Sequence, residues 1–213
     1  MKAINWQAII FDFDGVLVES GDIKTQAFSD LYQSYGNTIA SKAVRYHKQN
    51  GGLSRYQKFR YVQQHFLKMP PLTKDEEQEL DRRFSKLVVE AVIASDPVPG
   101  ANELVHIESS RIPLFIASGT PEIELNTIVT RRGLEPYFTE VRGSPKSKQV
   151  LIAEILSTHD LTPTRVLMIG DALIDYQSAQ TNNVAFLGRV RTGDKNPFPE
   201  QVNTVSDLDV LLT

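Results

Sequence analysis

Two aspartates one residue apart, Asp12 and Asp14, close an apolar run and are followed at once by Gly15 in IIFDFDGVLVES, residues 9–20. Like charges that close repel, and an apolar strand end is an unfavourable place to ionise either. Three further stretches carry residue types that answer them. One apolar run delivers Ser118, Gly119 and Thr120; the segment Gly143-Ser144-Pro145-Lys146-Ser147-Lys148 brings two lysines; a last apolar run delivers Gly170, Asp171 and, one helical turn on, Asp175. Carboxylates gathered in this way are tolerable around a hard cation, and Mg2+ takes a few carboxylates together with waters and phosphate oxygens. A hydroxyl, the backbone N–H groups beside a glycine and a lysine would cradle a phosphoryl group at the same place. The implied chemistry is phosphoryl transfer at a metal.

For these groups to meet, the chain must bring four breaks in its apolar runs to one rim. AIIF (8–11), PLFIAS (113–118), RVLMIG (165–170) and VAFLG (184–188) are short runs rich in Val, Ile and Phe, each stopping at Asp, Gly or Ser. Strands buried on both faces of a parallel sheet read this way. Helical patterns lie between them at 101–110, 121–132 and 147–160, the second with Pro121 at its start and Gly133 just past its end. This alternation predicts an α/β protein with a doubly wound, Rossmann-like parallel sheet, whose ligands bind at the carboxyl ends of the strands.

Residues 18–92 break the rhythm. They are polar and helical, and after the Pro70-Pro71 turn Thr73 and Glu76 have capping-box spacing. The expected organisation is an α/β core formed by 1–17 and 93–213, with an all-helical insertion at 18–92 and DPVPG (96–100) as the returning linker. A length of 213 residues suits one sizeable core with a modest second lobe. The net charge of −3 gives no electrostatic case for nucleic acid or an anionic membrane, and the lack of cysteine excludes disulfides and thiolate chemistry. The N-terminus lacks the pattern of a signal peptide, and no run approaches the ~18 apolar residues of a membrane span. A soluble cytoplasmic protein, monomeric or weakly dimeric, is the expectation.

Taken singly, each stretch has an ordinary reading: a turn for Asp14-Gly15, helix caps for Ser118-Thr120 and Asp171, an exposed first-turn position for Lys148. Their order argues otherwise, because all four fall at a strand end or the turn after it. The set D-x-D-G, a strand ending in Ser, Lys, then G-D-x-x-x-D resembles the haloacid dehalogenase superfamily, and within it the phosphoglycolate-phosphatase and β-phosphoglucomutase-like branch. The likeness spans the chain, since the helical insertion falls where that branch carries its C1 cap. It implies Asp12 as the nucleophile that becomes a phosphoaspartate and Asp14 as general acid/base, its pKa raised by burial and like charge. It further implies Ser118, Gly119 and Lys148 on the phosphoryl group. Asp12, the Asp14 carbonyl and Asp171 would hold Mg2+, with Asp175 supporting directly or through water. Many members of the branch read G-K-P where this chain reads Gly143-Ser144-Pro145. Lys148, one helical turn further on, is the favoured replacement, with Lys146 as the alternative. Within the insertion, Gly51 and Gly52 break a helical region, and the resemblance implies that Gly51 to Arg55 lies near the substrate-facing cap loop, where Arg55 or Lys58 would meet an anionic part of the substrate. The four histidines, Trp6 and Tyr137 are read as structural or surface residues.

Two catalytic outcomes share these motifs: Mg2+-dependent hydrolysis of a small phosphorylated metabolite, and phosphomutase chemistry. A non-catalytic phosphate-binding regulator is the third reading. Retention of both Asp12 and Asp14 argues against dehalogenation and against a dead enzyme, and a receiver domain would be about half this length.

Overall fold

A computed structural model describes residues 6–212 of the chain. Six strands form one sheet: β1 (Ala8–Phe11), β2 (Leu114–Pro121), β3 (Glu140–Ser144), β4 (Val166–Gly170), β5 (Ala185–Arg189) and β6 (Thr204–Val205). Their order is β3-β2-β1-β4-β5-β6 and every pairing is parallel. That is the doubly wound arrangement, with its switch of direction at β1. The sequence reading missed β3 and β6 because they are the sheet's edges. β3 reads EVRGS with only its last two residues buried, and β6 is two residues long. An edge strand needs no continuous apolar run, so periodicity does not mark it.

The two-residue repeat of the strands sorts the core into two layers. Ile9 and Phe11 of β1, with Leu114 and Ile116 of β2, face α5 (Ala101–Ser109) and α6 (Glu122–Arg131). Ala8, Ile10, Phe115, Ala117 and Met168 face α7 (Lys148–Thr158) and α8 (Leu173–Thr181). Between β1 and β2 run α1 (Gly21–Tyr32), α2 (Asn37–Gln49), α3 (Arg55–Tyr61) and α4 (Lys74–Ala94). Phe28, Phe59, Phe84, Val88 and Val92 from these helices join the first layer's core. The Thr73–Glu76 capping box is formed: Thr73 Oγ1 accepts from Glu76 N–H at 3.3 Å, and Glu76 Oε2 accepts from Thr73 N–H at 2.8 Å.

The chain leaves the sheet and returns to it side by side. Glu19 N–H donates to Asp96 O at 3.0 Å, Val98 N–H donates to Leu17 O at 3.2 Å, and Val18 bridges Pro97 antiparallel. No helix among the described residues is long and apolar enough to cross a membrane.

Candidate active site

The C-terminal ends of β1, β2 and β4 face a cavity of about 110 Å3, roofed by α1 to α4. Pairing of Phe11 with Ile116 on one side and Ile169 on the other levels the three strand ends. Asp12, Ser118, Gly119 and Asp171 therefore line one floor. Asp12 is buried; its Oδ1 accepts from Phe13 N–H at 2.7 Å, and its Oδ2 lies 2.9 Å from Lys148 Nζ. Lys148 is the first residue of α7, whose N-cap Ser147 accepts from Val150 N–H at 3.4 Å. Its buried ammonium also pairs with Asp175 Oδ1. Lys146 points outward, to Glu154 at 2.6 Å, and is half exposed. Of the two lysines the sequence left open, only Lys148 reaches the floor.

Burial raises the Asp12 pKa to about 7; the charges of Asp175 and Asp14 push the same way and Lys148 opposes them. Burial, with the charges of Asp12 and Asp175, also lifts Asp171 well above the usual carboxylate range. Asp12 and Asp175 together hold Lys148 above its ordinary value against the effect of burial. Such a crowded set favours a cation. Asp12, Asp171 and Asp175 each offer an oxygen, all within 4.8 Å of one another. Asp175 is the least available of the three: Oδ1 faces Lys148 and Oδ2 accepts from Ala172 N–H at 3.0 Å. Gly15 is required beside this set. Its φ is +77°, and a Cβ there would lie 2.2 Å from Asp171 Oδ2. Arg189, at the end of β5, fixes that turn by donating to Gly15 O at 3.2 Å and to Glu19 at 2.5 Å.

Asp14 departs from expectation. A raised pKa was anticipated, yet it sits at about 2. Burial does push it up, but the Lys24 charge and hydrogen bonds from Lys24, Ser20 and Thr120 outweigh that. Ser20 Oγ donates at 2.6 Å and Thr120 Oγ1 at 2.8 Å, while Lys24 reaches both Asp14 and Thr120 from α1. Sequence reasoning missed Lys24, because a lysine ten residues past Asp14 in a polar helix carries no local signal.

The roof holds the loop Gly51–Leu53 with Phe28, His47, Arg55, Lys58 and Phe84. Gly52 closes directly on the floor: a Cβ on Gly119 would lie 2.6 Å from Gly52 O. His47 was read as structural or surface, but it lines the cavity. Its ring stacks on Phe28 at 4.5 Å between centroids, and Nδ1 is 3.1 Å from Lys58 Nζ. Burial, then the Lys58 charge, drops its pKa to about 2, so the imidazole is neutral. Burial lowers Lys58 to about 7. Arg55 and Lys58 both face the cavity, and Arg55 is held by Glu124 of α6 and Asp81 of α4. His65, His106 and His159 pack on Tyr61, Tyr137 and Phe115, away from the site.

Known proteins resemble this chain over most of its length. The family model described as haloacid dehalogenase-like hydrolase matches residues 9–189. A phosphorylated carbohydrates phosphatase of Thermotoga maritima is 24% identical over 84% of this chain and 82% of its own length. A phosphoglycolate phosphatase of Synechococcus elongatus is 25% identical over 82% and 79% respectively. Among solved structures, a β-phosphoglucomutase from Clostridium difficile superposes with a TM-score of 0.78 at 18% identity, covering 97% of this chain and 93% of that one.

Proposed function

The chain belongs to the haloacid dehalogenase-like hydrolases, and on that premise we propose a Mg2+-dependent phosphatase of small phosphorylated metabolites that works through an aspartyl phosphate. The observation that carries this reading is the buried Asp12 carboxylate after β1, with the Lys148 ammonium 2.9 Å from one oxygen, in the cavity that Ser118 and Gly119 of the neighbouring β2 also line. The names of the two phosphatase relatives support the substrate class.

In this reading Asp12 attacks phosphorus, a new O–P bond forms, and the ester O–P bond breaks with its electron pair on the leaving oxygen. Asp14 supplies the proton that oxygen needs. It then takes a proton from the water that cleaves the phosphoaspartate, which returns Asp12 as a free carboxylate and releases phosphate. Its contacts in the closed site hold Asp14 ionised, the form suited to the second half. The first half therefore requires Lys24 to withdraw from it or to bring the proton itself. Ser118, the Gly119 N–H and Lys148 bind the phosphoryl oxygens. The donor chemistry of the floor fits Mg2+, with Asp12, Asp171 and the Asp14 carbonyl as the residues to hold it and Asp175 orienting Lys148. When bound, the ion supplies charge neutralisation between carboxylates and phosphate. The helices of 18–92 act as a cap that excludes bulk water.

The test is phosphate release from a panel of phosphorylated metabolites, with Mg2+ and after exhaustive chelation. Turnover that requires added Mg2+ is the expected result, and undiminished turnover in chelator removes the metal from the mechanism. An isomeric sugar phosphate in place of free phosphate would replace hydrolysis by a mutase.

A further inference from the structure

The cavity's roof carries two cations from α3, and their partners differ. Arg55 Nη1 donates to Asp81 Oδ1 at 3.1 Å, Ser85 Oγ at 2.8 Å and Glu124 Oε2 at 2.9 Å, and Nη2 donates to Glu124 Oε1. Its guanidinium carbon lies 4.6 Å from the centroid of the Phe84 ring. The Arg55 side chain is 4% exposed and that of Glu124 is 9% exposed, so this ion pair is dry. Ser85 Oγ adds a 2.5 Å hydrogen bond to Glu124. Lys58, by contrast, has no carboxylate partner among the described residues; it meets neutral His47 and lies 5.7 Å from the centroid of the Phe28 ring.

An arginine over a phosphoryl-transfer cavity is the side chain best suited to grip a second phosphate, because its fork matches two phosphate oxygens. Here that fork is already occupied by the Glu124 carboxylate of α6, and the Asp81 carboxylate of α4 adjoins it. The local sum of Arg55, Glu124 and Asp81 is negative. A bisphosphate would have to displace Glu124 and leave a buried carboxylate without its cation, which is strongly unfavourable. We propose that Glu124 is a specificity-determining residue: by holding Arg55 it denies the cavity its bidentate receptor for a second phosphate, leaves only the single ammonium of Lys58 in the roof, and so favours monophosphate esters. This rests on the phosphatase reading above and narrows its substrate class. It also counts against a mutase that passes through a bisphosphate.

The test uses non-hydrolysable probes, propylphosphonate and propane-1,3-bisphosphonate, titrated calorimetrically into the Mg2+-loaded protein at fixed free Mg2+. The wild-type protein should bind the two within about threefold of each other, and Glu124→Gln should tighten the bisphosphonate alone by roughly tenfold or more. The double variant Arg55→Met/Glu124→Gln should return the ratio to that of wild type, because the freed arginine is the receptor. The wild-type ratio by itself keeps the test decisive if Glu124→Gln does not fold. The proposal is overturned by a wild-type preference for the bisphosphonate of tenfold or more, by an unmoved ratio in folded Glu124→Gln, or by a gain that survives in the double variant. Failure of every phosphate-release assay would end the phosphatase reading while these affinity ratios still judged Glu124.

Discussion

The floor and the roof of the cavity place charge in opposite ways. On the floor, Asp12, Asp171 and Asp175 crowd around one ammonium, Lys148, at the ends of adjacent strands and the first turn of a helix. On the roof, Lys58 stands against a neutral imidazole and aromatic rings, and Arg55 finds its carboxylates on α4 and α6. Strand register fixes the floor to within a hydrogen bond. Helix packing fixes the roof, and its charges depend on partners far away in sequence. In the proposed function such a site would separate the reaction from recognition, and substitutions should divide along the same line.

The sharpest break is on the floor. Asp12→Asn should lower kcat/KM by at least about ten-thousandfold and abolish a trapped phosphoenzyme, since an amide is a poor nucleophile. A phosphoenzyme that still forms would move the nucleophile elsewhere. Next is Lys148→Ala, with an expected loss of roughly a hundred- to a thousandfold in kcat/KM under saturating Mg2+, as for one removed charge-assisted donor. Lys146→Ala should stay within about twofold, because its exposed ion pair with Glu154 contributes little. A larger loss at Lys146 would reverse the assignment.

On the roof the expected effect is on stability and its pH dependence. Burial lowers the Lys58 pKa to about 7 from an ordinary 10.5. Between those values the unfolded chain binds more protons at this position than the folded one, so the group's destabilising contribution is full below pH 7 and fades as pH rises. Lys58→Met should therefore raise Tm by several degrees at pH 6, on a scale of about 2–4 °C per kcal/mol, and by less at pH 9. A gain that stays constant or widens from pH 6 to 9 would mean that the ammonium is compensated. The smallest effect belongs to neither surface. Thr73→Ala removes an exposed cap and should cost about 1 kcal/mol in chemical denaturation, with kcat unchanged.

The floor was legible because each of its residues interrupts an apolar run, and an interruption is visible without knowing what lies across the sheet. Asp12 and Asp171 follow β1 and β4 in that way, Ser118 ends the apolar run within β2, and Lys148 follows from one turn of helix. The partners that modify these groups were not legible. Lys24 reaches Asp14 from an inserted helix and reverses the expected direction of its pKa. Glu124 sits in an unremarkable first turn of α6, yet it takes up Arg55 from 69 residues away. His47 carries no ligand spacing, and only the fold brings it over Phe28. Long-range ion pairs have no period, so charge bookkeeping in the roof had to wait for the fold.

The paired segments at Leu17–Glu19 and Asp96–Val98 bear on how the cap can travel. A body tethered by one flexible strand can tilt, twist and slide. One hung from two antiparallel strands bonded to each other keeps a single easy freedom, a swing about the line of the pair. For the proposed cap, opening would be an arc that retraces itself, and each return would set Gly52 on Gly119 and Arg55 against Glu124 in the same alignment. The repeatability of that closure would rest on a few backbone hydrogen bonds between the paired segments, none of which involves the floor residues Asp12, Ser118 or Asp171.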